Sequence, residues 1–316
     1  MIKQIDWYGT PAYTLENDRL LVRICPAVGN NVYSIHDKKL NREMLRVPSG
    51  PQELAEQPIQ FGTPILMPPN RISEGTFRYD GREYRFDINH ATGNHIHGMV
   101  RSQPWTVTAT GERDGKLFLT SILRLAEDAN VQRQYPHALE LELTYELEGG
   151  TLRHQLKATN RGDTKAPFGY GLHTWFLLDG QPEQWKLQLP AVGSWELDDK
   201  CIPTGTIAPL SGRFEQLIHG DSLEGHNLDM VFQIGDYPCL AILSRDDVEI
   251  RYSGSSVFKQ WVIFTKGEAQ DFICLEPYTW VTNAPNLNLP EEVTGLRGIE
   301  PGETLELEVK LDVIHS

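Results

Sequence analysis

The chain has 316 residues, 40% of them hydrophobic and 23% charged, which suits a globular protein with a large core. No apolar run approaches the roughly 18 residues that a membrane span needs, and a net charge of −14 argues against a nucleic-acid partner, which calls for a basic face. Cys25, Cys201, Cys239 and Cys274 are far apart and form no Cys-x-x-Cys pattern. They read as isolated thiols rather than a disulfide frame or a zinc site. The start, Met1 to Trp7, has no apolar signal core. These features together point to a cytoplasmic protein.

In chain order, Pro51 to Gln57 reads as a short helix with Pro51 in its first turn. Leu117 to Leu123 reads as a strand. Leu139, Leu141, Leu143, Tyr145 and Leu147 alternate with Glu140, Glu142, Thr144 and Glu146. Gly149-Gly150 then makes a turn, and Leu152, His154 and Leu156 alternate with Arg153, Gln155 and Lys157. That is a hairpin with one buried and one wet face. Further strands are expected at 227–234, 239–243, 248–252, 257–265 and 271–275. Leu305, Leu307, Val309, Leu311 and Val313 repeat the alternation near the C-terminus. Helical periodicity is scarce, and no linker or internal repeat interrupts the pattern. The expected fold is all-β: a large antiparallel β-sandwich or jelly-roll relative, as a single domain over 1–316.

Several polar residues stand out against this background. His95 and His97 flank Ile96, and Gly98 follows. In an extended strand residues i and i+2 share a face, so both imidazoles would point the same way. Gly98 would admit another backbone or a ligand. Arg71 follows the stiff Pro68-Pro69 loop, and its guanidinium fork suits vicinal hydroxyls or a carboxylate. A surface arginine in a turn would look the same. His173 lies between Gly169 and Gly171 on one side and Trp175 and Phe176 on the other. That context suits a sugar cleft, where aromatic faces stack on sugar faces, and equally a core histidine. Asp229 interrupts an apolar run, either as a hydroxyl acceptor or as part of a wet strand face. Glu276 ends the apolar run 272–275 and precedes Pro277. Burial there would raise its pKa toward the range of a general base; a solvated strand end is the alternative.

The chain lacks a phosphate-binding glycine loop, a dinucleotide fingerprint and a Gly-x-Ser-x-Gly elbow. His95-x-His97 resembles the start of a cupin-type metal site, yet no carboxylate follows and Arg101 adds a cation. No metal and no cofactor are expected.

Taken in order, Asn70-Arg71-Ile72 with Gly75, Asn94-His95-Ile96-His97-Gly98, His173-Thr174-Trp175-Phe176, Asp229, Leu275-Glu276-Pro277 and Asn283-Ala284-Pro285-Asn286 resemble the aldose 1-epimerase (galactose mutarotase) family. The resemblance spans most of the chain and implies a galactose mutarotase-like β-supersandwich. It implies an isomerase that interconverts the α and β anomers of an aldohexose such as galactose or glucose. Glu276 would take the proton from the anomeric hydroxyl, His173 would protonate the ring oxygen, and His97 would donate to the ring oxygen or neighbouring oxygens. Arg71, Asp229, His95, Trp175 and Arg101 would line the sugar site. The implied partner is a small-molecule sugar, with no nucleic acid and no membrane; a homodimer is left open.

The chain departs from the best-known members, which carry asparagines around the second histidine where this one has Leu172 and Leu177. Arg101 matches the His-Gly-x-x-Arg pattern of related hexose-6-phosphate epimerases and would bind a phosphate or other anionic group. An anionic sugar is therefore the second reading, and a non-catalytic carbohydrate-binding protein the third. A metal-dependent isomerase is a fourth.

Overall fold

A computed structural model describes residues 1–315. Two large sheets carry most of the chain. The nine-stranded sheet runs in the order Thr106–Arg113, Lys116–Arg124, Leu139–Glu148, Thr151–Asn160, Thr304–His315, Val248–Gly254, Leu240–Arg245, Lys186–Gln188 and Asp221–Ser222. The eight-stranded sheet runs from Pro203–Ala208 through Gly193–Leu197, Asn227–Gln233, Gln260–Glu268 and Phe272–Tyr278 to Gly171–Leu172 and Ile65–Leu66. Thr174–Leu177 also pairs with Phe272–Tyr278. Pairing is antiparallel throughout both sheets.

The alternation in the sequence is the cause of the layering. Leu139, Leu141, Leu143, Tyr145 and Leu147 are buried, while the intervening acids and Thr144 lie on the outer face. The inner face meets the eight-stranded sheet. Tyr252 bonds Thr174 Oγ1 at 2.8 Å and packs on Phe176 and Trp261; His154 Nε2 meets the Tyr170 hydroxyl at 2.6 Å. One large buried cluster draws residues from Leu15 to Val313, and a smaller one gathers Ala12, Cys25, Val28, Tyr33, Leu54 and Phe61. The expected helix is present as Pro51–Glu56. Among the described residues no helix is long and apolar enough to cross a membrane.

A third sheet of five strands, Ile2–Trp7, Thr10–Glu16, Leu20–Cys25, Asn31–Asp37 and Arg42–Glu43, is not announced by period-two alternation. Its strand Asn31–Asp37 is buried at six of seven positions, so neither face reads as wet. Tyr145 donates to the carbonyl of Asn30 at 2.7 Å and ties this sheet to the nine-stranded one. The strand expected from Val257 begins at Gln260, because Ser255 to Phe258 forms a turn closed by Phe258 N to Ser255 O at 3.0 Å.

Candidate active site

Strand alternation splits the segment around His173. Thr174 and Phe176 point inward to Tyr252, so His173 and Trp175 point to the outer face of the eight-stranded sheet. The register does the rest. Thr174 pairs with Leu275 and Gly171 with Tyr278, which sets His173 directly opposite Glu276. On its other side Glu276 pairs with Val262, and the neighbouring row is Asp229, Phe264, Cys274 and Trp175. Glu276 therefore lies inside the strand Phe272–Tyr278 rather than at its end, with only 1% of its surface exposed.

These rows floor a cavity of about 380 Å³, lined among others by Asn70, Arg71, His90, His97, Arg101, His173, Trp175, Asp229 and Glu276. Small-molecule sites span roughly 300–1,000 Å³, so this is a small one. The structure thus brings together Arg71, His97, Arg101, His173, Trp175, Asp229 and Glu276. It does not bring His95. The strand there is only His95–Ile96, and His97 has a φ of 63°, outside the extended region. The two imidazoles do not share a face. His95 turns into the core beside Phe86, with Nδ1 2.7 Å from the carbonyl of Asp87.

The roof of the cavity is held by backbone contacts. His97 N donates to Asn70 O at 2.9 Å, and Ile96 pairs with Arg71. Gly98 has a φ of 65°, and a Cβ there would run into the carbonyl of Met67, so the expected close approach is that of another backbone. Asn283 N donates to Arg71 O at 2.8 Å and Asn283 Oδ1 accepts from Ser73 N at 2.9 Å. Gly171 has a packing role of the same kind: any side chain would meet the Tyr278 ring.

The electrostatics centre on one pair. His173 Nε2 lies 3.4 Å from Glu276 Oε1, and the His173 ring stacks on Trp175 with centroids 5.1 Å apart. Burial pushes the Glu276 carboxyl well above its usual range, opposed by a hydrogen bond from the Tyr278 hydroxyl and by the charge of Arg71. Burial holds His173 down at about 3. It also lowers His97, with the neighbouring His173 and Arg101 acting in the same direction. Both shifts favour the neutral form of each partner. The His97 and His173 rings meet edge to face at 5.2 Å.

His173, Cys274 and Glu276 offer three potential metal-ligand atoms within 4.8 Å of one another. Burial raises the pKa of both the Cys274 thiol and the Glu276 carboxyl, which disfavours the deprotonated forms that would hold a cation. Tyr278 escapes a reading that stops the strand before Pro277, whereas Cys274 falls inside the expected strand 271–275 without being singled out. Both sit two residues from Glu276, and extending the period-two pattern through the proline would have found Tyr278. Asn70 enters only as part of the Asn70-Arg71-Ile72 resemblance, and His90 carries no such signal.

The family model described as aldose 1-epimerase matches residues 11–312. The chain is 30% identical over 164 residues to the Escherichia coli protein YihR, covering 51% of this chain and 50% of that one. It is 32% identical over 166 residues to human galactose mutarotase, covering 50% and 45%. The chain thus spans about half the length of these relatives. A galactose mutarotase-like protein from Clostridium acetobutylicum superposes with a TM-score of 0.94 at 24% identity, over 100% of this chain and 99% of that one. The sandwich described above is the fold of that protein. A family match running almost from end to end makes this chain a member of the aldose 1-epimerase family.

Proposed function

We propose that the chain is an aldose 1-epimerase that interconverts the α and β anomers of an aldohexopyranose. The observation that carries this reading is the buried His173–Glu276 pair, 3.4 Å apart on the floor of a monosaccharide-sized cavity. Anomer exchange requires one proton removed from O1 and one supplied to the ring oxygen. These two oxygens share a carbon, and an acid and a base at this spacing match them. Glu276 is the base, His173 the acid, and His97 a donor at the ring oxygen. Arg71, Asp229 and Trp175 position the sugar.

The pair starts neutral, and a bound sugar changes that. Its hydroxyls, with the Tyr278 hydroxyl and the Arg71 charge, stabilise a carboxylate at Glu276. The proton then moves to His173, which leaves a base facing O1 and an imidazolium facing the ring oxygen. Glu276 takes the O1 proton, His173 gives its proton to the ring oxygen, and the C1–O5 bond opens to the aldehyde. Rotation about C1–C2 and closure with the reverse transfers give the other anomer. A positioned acid or base contributes about 10²–10⁴ in rate. The large core cluster, which draws on strands from all three main sheets, supports the expectation of one domain over 1–316.

The test is anomer exchange followed by polarimetry or NMR, with glucose, galactose and glucose 6-phosphate. Acceleration of at least one sugar is expected, with Glu276→Gln and His173→Ala each reducing it about 10²–10⁴-fold. No acceleration of any of them, or full activity in both variants, would refute the assignment.

A further inference from the structure

Arg71 and Arg101 are both half-buried on the cavity wall, and neither has a carboxylate within ion-pairing distance among the described residues. Elsewhere in the molecule the half-buried Arg42 and Arg245 share Asp179 and Asp247 at 2.9–3.6 Å. A guanidinium taken out of water without an opposite charge is costly, and a site that keeps two of them is matched to an incoming anion.

The hydrogen bonds show how much of each fork is spare. Arg101 uses only Nη1, which clasps the carbonyls of Ile96 (3.3 Å) and Gly98 on either side of His97. Its Nε and Nη2 have no hydrogen-bond partner among the described residues. Among the described residues Arg71 bonds through Nη1, to Asn70 Oδ1 at 3.1 Å, and its Nε is buried without a partner. The loop carrying Arg101 is fixed from the five-stranded sheet, with Gly29 N donating to Gln103 O at 2.9 Å and Trp105 N to Pro26 O at 2.9 Å. Burial lowers the Arg101 pKa with no acid to offset it, but an arginine remains charged.

Position narrows the anion further, on the reading given above for Glu276, His173 and His97. C1 lies at Glu276 and the ring oxygen between His173 and His97. The next atom round the ring is C5, which carries the exocyclic carbon. Arg101 brackets His97, so it stands on that side of the sugar. Arg71 follows Asn70, whose carbonyl holds His97, and reaches the same wall. We propose that the sugar turned over here is acidic: an aldopyranose bearing an oxyanion group on its exocyclic carbon, held by the free edge of Arg101 with Arg71 in support. A phosphate ester, a sulfate ester and a carboxylate all present oxygens that a guanidinium fork can accept.

The experiment compares glucose with glucose 6-phosphate, glucose 6-sulfate and glucuronate in two assays. The first is kcat/KM for anomer exchange by the intact enzyme. The second is Kd by calorimetry for the Glu276→Gln variant, which reads binding without turnover. A charge-assisted contact predicts a preference for at least one acidic sugar of about 10–150-fold over glucose in both assays. The preference shrinks as salt is raised. Arg101→Gln keeps a donor for the Ile96 and Gly98 carbonyls but loses the charge, and it collapses the acidic-to-neutral ratio toward one; Arg101→Lys restores part of it. Which of the three acids is preferred identifies the group.

Glucose handled as well as every acidic sugar, in turnover and in binding, overturns this inference and leaves the epimerase intact. So does an unchanged ratio in Arg101→Gln. No exchange activity on any sugar overturns the epimerase reading, while the calorimetric ratio still decides whether the site selects anions.

Discussion

Tyr278→Phe isolates the interaction that tunes the proposed base. The Tyr278 hydroxyl donates to Glu276 Oε2 from two residues along the same strand, and both groups are buried. It lowers the carboxyl pKa against the larger upward push of burial. A hydrogen bond to a buried charged group is worth about 1.5–3 kcal/mol, or about one to two pKa units at 1.36 kcal/mol per unit. Its loss disfavours the carboxylate by that amount, so the fraction of enzyme with the proton moved to His173 falls about 10–100-fold, and kcat/KM falls with it. The pair holds one proton in its active form. The alkaline limb of the pH profile is therefore the loss of that proton from Glu276, and it moves up by about one to two pH units in the variant. The acid limb belongs to His173, held at about 3, and stays where it is. The assay is kcat/KM for anomer exchange from pH 5 to 10, with the folded state checked by circular dichroism at each end. An alkaline limb that stays put while the rate drops would assign Tyr278 a purely structural role. An unchanged rate would remove it from the proton economy of the site.

Three further outcomes follow from the same structure. Gly98→Ala forces a side chain against the Met67 carbonyl at a φ of 65°; a loss of at least about 2 kcal/mol in chemical denaturation is expected, and wild-type stability would contradict the close packing of that loop. Burial holds His95 and His137 at about 4 and His154 and His173 at about 3, all below 6.5. The unfolded chain then takes up protons first, so stability present above pH 6.5 is lost as pH falls toward 4, by about 2 kcal/mol for each histidine at pH 5. Glu276 works in the opposite sense, its raised pKa favouring the folded state in acid; a denaturant midpoint that does not fall between pH 7 and pH 5 would show the histidines to be better solvated than the structure has them. Dialysis against excess EDTA leaves activity unchanged, whereas a loss restored by a divalent cation would recast His173, Cys274 and Glu276 as its ligands.

The sequence carried the strands that have one wet and one dry face. The hairpin around Gly149-Gly150 and the strand Thr304–His315 are visible because acids and leucines alternate. Asn31–Asp37 is not, because it is covered on both sides. The site was legible only as a set of residue types in order. Nothing local says that His173 faces Glu276, because that depends on a register set by Gly171 with Tyr278 and Thr174 with Leu275. The His95–His97 inference failed at a single backbone angle. One residue in the left-handed region sends His97 to the cavity and leaves His95 in the core. Pro277 misled in the other direction. It was read as a strand end, yet it pairs with Trp261 inside the ladder.

Thr304–His315 is the fifth of nine strands, flanked by Thr151–Asn160 on one side and Val248–Gly254 on the other. Synthesis adds residues from the N-terminus at about 5–20 per second. All the residues that line the cavity are made before this strand is. Until it arrives, the two halves of the nine-stranded sheet expose open edges toward each other, and the layer behind His173 and Glu276 is split down its middle. A nascent chain can thus hold every group the chemistry needs and still lack the wall that fixes their spacing. Activity is expected to appear in one step, when the last strand zips in, and a ribosome stalled before residue 304 should display an inactive chain.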